Sequence, residues 1–144
     1  MADVFSPVRQ ALTWRDLWIA LAETERELGV DVPEQAITAM REARDSVDLS
    51  RVAELEVDLR HDVMAHVHHF GEMAPLAKAY IHLGATSCFV TDNAGLIQLR
   101  EGLQIVRSRL IAAIAALAGF ADRWKELPTL GYTHWQPAQP TTVG

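Results

Sequence analysis

The chain has 144 residues, 49% of them apolar and 22% charged, the balance of a folded globular protein and not of a disordered one. A net charge of -6 argues against nonspecific binding to nucleic acid or to an anionic membrane surface, both of which need clustered Lys and Arg. Cys88 is the only cysteine, which excludes an intrachain disulfide, and the N-terminus lacks the basic-then-apolar layout of a signal peptide. The uncharged, mostly apolar run Leu110 to Ala121 is 12 residues, against roughly 18 for a membrane span. No membrane contact and a cytoplasmic location are expected.

In chain order, helical periodicity begins at Thr13, with Trp14, Leu17, Trp18, Leu21 and Leu28 on one face. Thr13 and Asp16 stand in capping-box relation, and Gly29 is placed to end the helix. A second helix is expected from Pro33, with Ile37 and Met40 inward. A third runs from about Ser50, with Val52, Leu55 and Leu59 as its apolar stripe. Asp62 can cap a fourth, whose inward face is Val63, Val67 and Phe70.

The longest element is expected from about Thr91 to Lys125. Leu96, Leu99, Leu103, Val106, Leu110, Ala113, Leu117, Phe120 and Trp124 alternate steps of three and four, as in a long bundle helix. Ile97, Ile105, Ile111 and Ile114 widen that face, so more than one neighbour is needed to cover it. Beyond Leu127 the pattern stops. Pro128, Gly131, Pro137 and Pro140 predict an irregular loop around Thr133-His134-Trp135-Gln136, and Thr141-Thr142 resemble the cap of a further helix, so the chain reads as truncated.

Arg60 to Asn93 concentrates polar chemistry and holds five of the six histidines. Arg60-His61-Asp62 falls at a helix start, where free N–H groups, the helix dipole and an arginine favour an anion. Gly84-Ala85-Thr86-Ser87 is a second such place, with close backbone approach at the glycine and two adjacent hydroxyl donors. His61, flanked by opposite charges, reads equally as a ligand partner or as part of a capping cluster. His66, His68 and His69 invite a zinc site, but no cysteine and no well-spaced carboxylate completes a ligand set, so hydrogen bonding at the surface or between helices is favoured and no metal is assigned. His134 reads either as a general acid or base held by a stiff loop, or as a loop histidine bonded to backbone.

Three segments carry a resemblance: Arg60-His61-Asp62-Val63-Met64-Ala65-His66-Val67-His68, Ile81-His82-Leu83-Gly84-Ala85-Thr86-Ser87-Cys88, and Leu127 through Gln139 around Tyr132-Thr133-His134-Trp135-Gln136. With Thr13-Trp14-Arg15-Asp16-Leu17-Trp18 they resemble the adenylosuccinate lyases of the fumarase/aspartase superfamily, in order and over nearly the whole chain.

The resemblance implies an all-α subunit: a small N-terminal helical domain, residues 1–90, followed by the first long helix of a central bundle, residues 91–144, in a homotetramer. It implies elimination of fumarate from adenylosuccinate and from the succinylated carboxamide ribotide (SAICAR) of purine synthesis, without cofactor or metal. By position, Arg60, His61 and Asp62 would contact the nucleotide, Thr86 and Ser87 a carboxylate of the succinyl group, and His82 would line the site. His134 would be the general acid and Thr133 would orient it. The family's catalytic serine lies on a loop far downstream of Gly144, and its Arg-Tyr phosphate motif lies just before the position of Met1. Argininosuccinate lyase, a carboxymuconate-type cycloisomerase and a non-catalytic helical assembly module are the competing readings.

Overall fold

Ser6 and Pro7 start the first helix. The computed structural model describes all 144 residues, and in it α1 spans Pro7–Glu27, with the Ser6 hydroxyl accepting from the Arg9 N–H at 3.2 Å. Proline at the first helical position sacrifices no hydrogen bond there. Thr13, expected to cap this helix, lies instead a turn and a half inside it, its hydroxyl donating back to the Arg9 carbonyl at 2.8 Å. The other end falls as expected: Gly29 adopts φ +93, and its N–H and that of Val30 donate to the Arg26 and Glu25 carbonyls.

Helix α2 spans Glu34–Ala43 behind Pro33, and Ile37 and Met40 are buried as expected. Helix α3 spans Leu49–Leu59, and its cap is Asp48, whose carboxylate accepts from the Ser50 and Arg51 N–H groups at 2.9 and 3.1 Å. Of its expected stripe only Val52 is buried, and Leu59, the last residue of the helix, is 38% exposed. Arg60 ends α3 in the left-handed conformation, φ 52. Helix α4, Asp62–Met73, buries Val63, Val67 and Phe70 as expected, but its cap is His61 and not Asp62. A 3-10 turn at Pro75–Ala77 leads towards α5, Ser87–Trp124, which begins one turn earlier than its apolar register suggested.

Two compact units divide the chain, Met1–Glu101 and Gly102–Gly144. In the first, α3 packs on α4, and α2 packs on α1 and the 3-10 turn, around a core of Trp14, Trp18, Ile37, Met40, Phe70 and Val90. Trp14 and Trp18 meet edge to face at 6.2 Å, and Phe70 lies 6.2 Å from Trp18. Gln98 and Glu101 of α5 tie it to the N-terminal segment, through the Val4 carbonyl at 2.7 Å and Arg9 at 2.7 Å.

The second unit holds the rest of α5 and a hairpin of β1, Pro128–Thr133, and β2, Gln136–Thr142, where an irregular loop and a helix cap were expected. Leu103, Leu110 and Leu117 of the predicted stripe are 67%, 58% and 67% exposed. The helix contains an 18-residue window of mean hydropathy 1.5, which by length and composition also suits a membrane span, an outcome that the 12-residue uncharged run did not foretell. Arg107 and Arg109 sit on the same helix, just before the uncharged run. A three-four leucine stripe is the surface that a bundle helix buries against its neighbours.

Candidate active site

Two helix starts converge in the first unit. His61 caps α4 by accepting the Met64 N–H on Nδ1 at 3.3 Å, and its Nε2 lies 3.4 Å from the hydroxyl of Ser87, the first residue of α5. With Nδ1 accepting, Nε2 carries the proton of the neutral ring and donates to the Ser87 hydroxyl. The positive ends of α4 and α5 therefore face one place, and both bring hydroxyl or imidazole donors to it. Asp62 Oδ1 stands 3.5 Å from His61 Nδ1, and Arg60 precedes it, exposed, in its left-handed turn. Thr86 is exposed beside Ser87, its carbonyl accepting from the Phe89 N–H at 2.9 Å.

His82 joins this group from the loop before α5. Its backbone is left-handed, φ 65, and its Nδ1 accepts from the indole N–H of Trp18 at 3.0 Å. Burial, followed by the nearness of His61, holds its imidazole below the usual histidine range. Gly84 also needs a positive φ, +64, and a β-carbon there would stand 3.7 Å from the Glu25 carboxylate. Burial raises the Glu25 carboxyl above the ordinary range.

Two other histidines of α4, His66 and His69, face the core, and His68 is half-buried. His66 lies edge-on against Trp14 at 4.9 Å, and burial, then Arg15, push it down to about 4. His69 accepts the Asp48 N–H on Nε2 at 2.9 Å, and burial, then Arg15, lower it too. Both are thus held neutral in the fold, where the unfolded chain would protonate them near pH 6.5. The contribution of His66 to stability is complete above that value and is lost as pH falls towards about 4, and that of His69 is lost in the same direction. Thermal melts should show a lower midpoint at pH 5 than at pH 7, and His66→Phe should shrink that difference. An equal pH dependence in the variant would contradict this assignment.

Arg15 was not among the expected site residues, and the structure gives it a structural role. It is 2% exposed, donates to the Ala43 and Arg44 carbonyls at 2.6 and 3.0 Å, and stacks over Phe70 at 4.5 Å. Burial, then Arg44, pull it down to about 10, so it stays charged at neutral pH. A cation there caps the C-terminus of α2. Nothing in the sequence pairs Trp18 with His82, 64 positions away.

His134 and Thr133 belong to the second unit. Thr133 ends β1, paired with Gln136, and His134 and Trp135 form the turn, both with positive φ, 49 and 64. That is the turn geometry whose twist suits a two-residue hairpin. Both turn residues are exposed, Trp135 to 99%. A cavity of about 370 Å³ lies elsewhere, lined by Glu23, Arg26, Glu27, Glu34, Ile37 and Arg41, and its arginines are already paired with Glu23 and Glu34.

A protein-family model described as "Lyase" matches residues 8–144. Adenylosuccinate lyase of Saccharomyces cerevisiae is 50% identical over the whole of this chain, which corresponds to 30% of that enzyme. Adenylosuccinate lyase of Schistosoma mansoni is 51% identical over 97% of this chain and 29% of its own. Among solved structures, 3-carboxy-cis,cis-muconate lactonizing enzyme from Pseudomonas putida superposes with a TM-score of 0.88 at 28% identity, over 98% of this chain and 33% of that one. Fumarate lyase from Mesorhizobium sp. BNC1 does so with 0.85 at 27% identity, over 97% and 33%. The chain thus spans about 30% of the length of its curated relatives, and the expected all-α class holds, with the small hairpin added. With its family model matched from residue 8 to residue 144 and the motif resemblance repeated at half identity, the chain belongs to the lyase family.

Proposed function

We propose that this chain is the N-terminal part of an adenylosuccinate lyase, contributing the substrate-gripping half of its active site. The observation that carries the reading is the meeting of His61 and Ser87 at 3.4 Å, at the starts of two helices, within segments that match the family's wording. Arg60, His61 and Asp62 contact the nucleotide of adenylosuccinate or SAICAR, and Thr86 and Ser87 hold a succinyl carboxylate. His82 lines the site, and His134, oriented by Thr133, protonates the departing nitrogen. The elimination that forms fumarate also needs a base for the carbon-bound proton. By the resemblance that base is a serine in a part of the enzyme with no counterpart in these 144 residues.

The reaction needs no cofactor or metal, and the enzyme is a cytoplasmic homotetramer with no nucleic-acid or membrane partner. Residues 1–90 form the N-terminal helical domain, and residues 91–144 open the central bundle, where the exposed leucine stripe of α5 packs on other subunits. Half identity to two adenylosuccinate lyases, against 28% to the muconate-lactonizing enzyme, supports the purine substrate over the cycloisomerase alternative.

Two measurements test this. The purified 144-residue chain should release no fumarate from adenylosuccinate, and fumarate release abolished by His134→Ala would overturn the division of acid and base. Sedimentation should show self-association through α5, while a compact, stable monomer would count against the bundle.

A further inference from the structure

The core of the first unit contains two indoles, and they are not equivalent. Trp14 Nε1 is buried without a hydrogen-bond partner, whereas Trp18, fully buried, spends its N–H on His82 Nδ1 at 3.0 Å. An indole nitrogen can only donate, so the Nδ1 it meets must present a lone pair. A neutral ring then carries its proton on Nε2, and an imidazolium, with two N–H groups, would set donor against donor in a place water cannot relieve. The ring stands at 87° to the indole plane, 5.9 Å away, and its backbone is held in the left-handed conformation that disfavours a non-glycine residue. His82 is also five residues ahead of Ser87 in the same turn, with its carbonyl accepting from the Ala85 N–H at 3.3 Å.

We propose that Trp18 is a positioning residue: its buried N–H fixes His82 as the neutral Nε2–H tautomer, so that His82 meets an anionic ligand as a hydrogen-bond donor and not as a proton acceptor. The identity of that ligand as a succinylated nucleotide rests on the function proposed above. The tautomer does not.

Nitrogen-15 labelling of the 144-residue chain tests it, since two-bond proton–nitrogen correlations report which ring nitrogen of His82 is protonated. The expected spectrum has Nδ1 unprotonated and Nε2 bearing the proton at neutral pH, without substrate. Trp18→Phe keeps an aromatic ring and removes the N–H, and should give His82 a mixture of the two tautomers. A pure Nε2–H form unchanged in Trp18→Phe would overturn the proposal, and so would an Nδ1–H form in the parent chain, which decides the matter even if the variant does not fold. Because the spectrum is recorded without substrate, failure of the lyase reading would leave this result standing, and the wrong tautomer would leave the lyase reading untouched.

Discussion

Arg15→Ala is expected to destabilise the first unit by about 3 to 5 kcal/mol, on the scale of lost charged hydrogen bonds plus a core cavity. The guanidinium satisfies the carbonyls of Ala43 and Arg44, which end α2, and fills the space over Phe70. Alanine would leave the Arg44 carbonyl without its charged donor and the Ala43 carbonyl with only the Ser46 N–H, remove the cation from the negative end of that helix and leave a void beside an aromatic ring. Arg15→Lys should recover only part of the loss, because an ammonium keeps the charge without the planar fork that reaches two carbonyls and stacks on a ring. Urea unfolding followed by circular dichroism measures both. A midpoint for Arg15→Ala within about 1 kcal/mol of the parent would show that the buried arginine is a passenger.

The second large effect concerns the hairpin. In a chimera where this chain replaces the aligned stretch of the yeast relative, His134→Ala should lower kcat by about 10²- to 10⁴-fold with little change in KM, the signature of a lost general acid. His134 sits at a tight turn with positive φ, so its backbone geometry is set by the hairpin and not by its side chain. Loss of the imidazole should therefore leave the fold intact. A fall of less than tenfold would remove His134 from the acid role.

Much of the first unit could be read from the sequence because its signals are local. The inward positions Ile37, Met40, Val63, Val67 and Phe70 follow helical periodicity, and Gly29 ends α1 through a conformation that glycine adopts without strain. The start of α1 at Ser6-Pro7 was missed, because the Thr13 and Asp16 spacing imitates a capping box one and a half turns later. Thr13 satisfies its hydroxyl inside the helix instead.

The hairpin was obscured by its prolines and by a turn without glycine. Pro137 and Pro140 argue against a central strand, yet in a two-stranded ribbon each strand has an open edge where a missing N–H costs nothing. The usual turn signal for a two-residue hairpin is Asn-Gly, and His134-Trp135 does not carry it. At the site, the two helix starts were legible as anion-favouring places, because caps are local. The contacts that join them were not: His61 to Ser87 spans 26 positions and Trp18 to His82 spans 64, and such distances are set by packing alone.

Fumarate release from adenylosuccinate by the yeast chimera tests the central claim most directly. If residues 60–62, 82, 86 and 87 grip the substrate and His134 supplies the acid, the chimera should turn over, and His61→Ala should raise KM while His134→Ala removes kcat. A folded, tetrameric chimera that releases no fumarate, while the yeast parent does under the same conditions, would contradict the account.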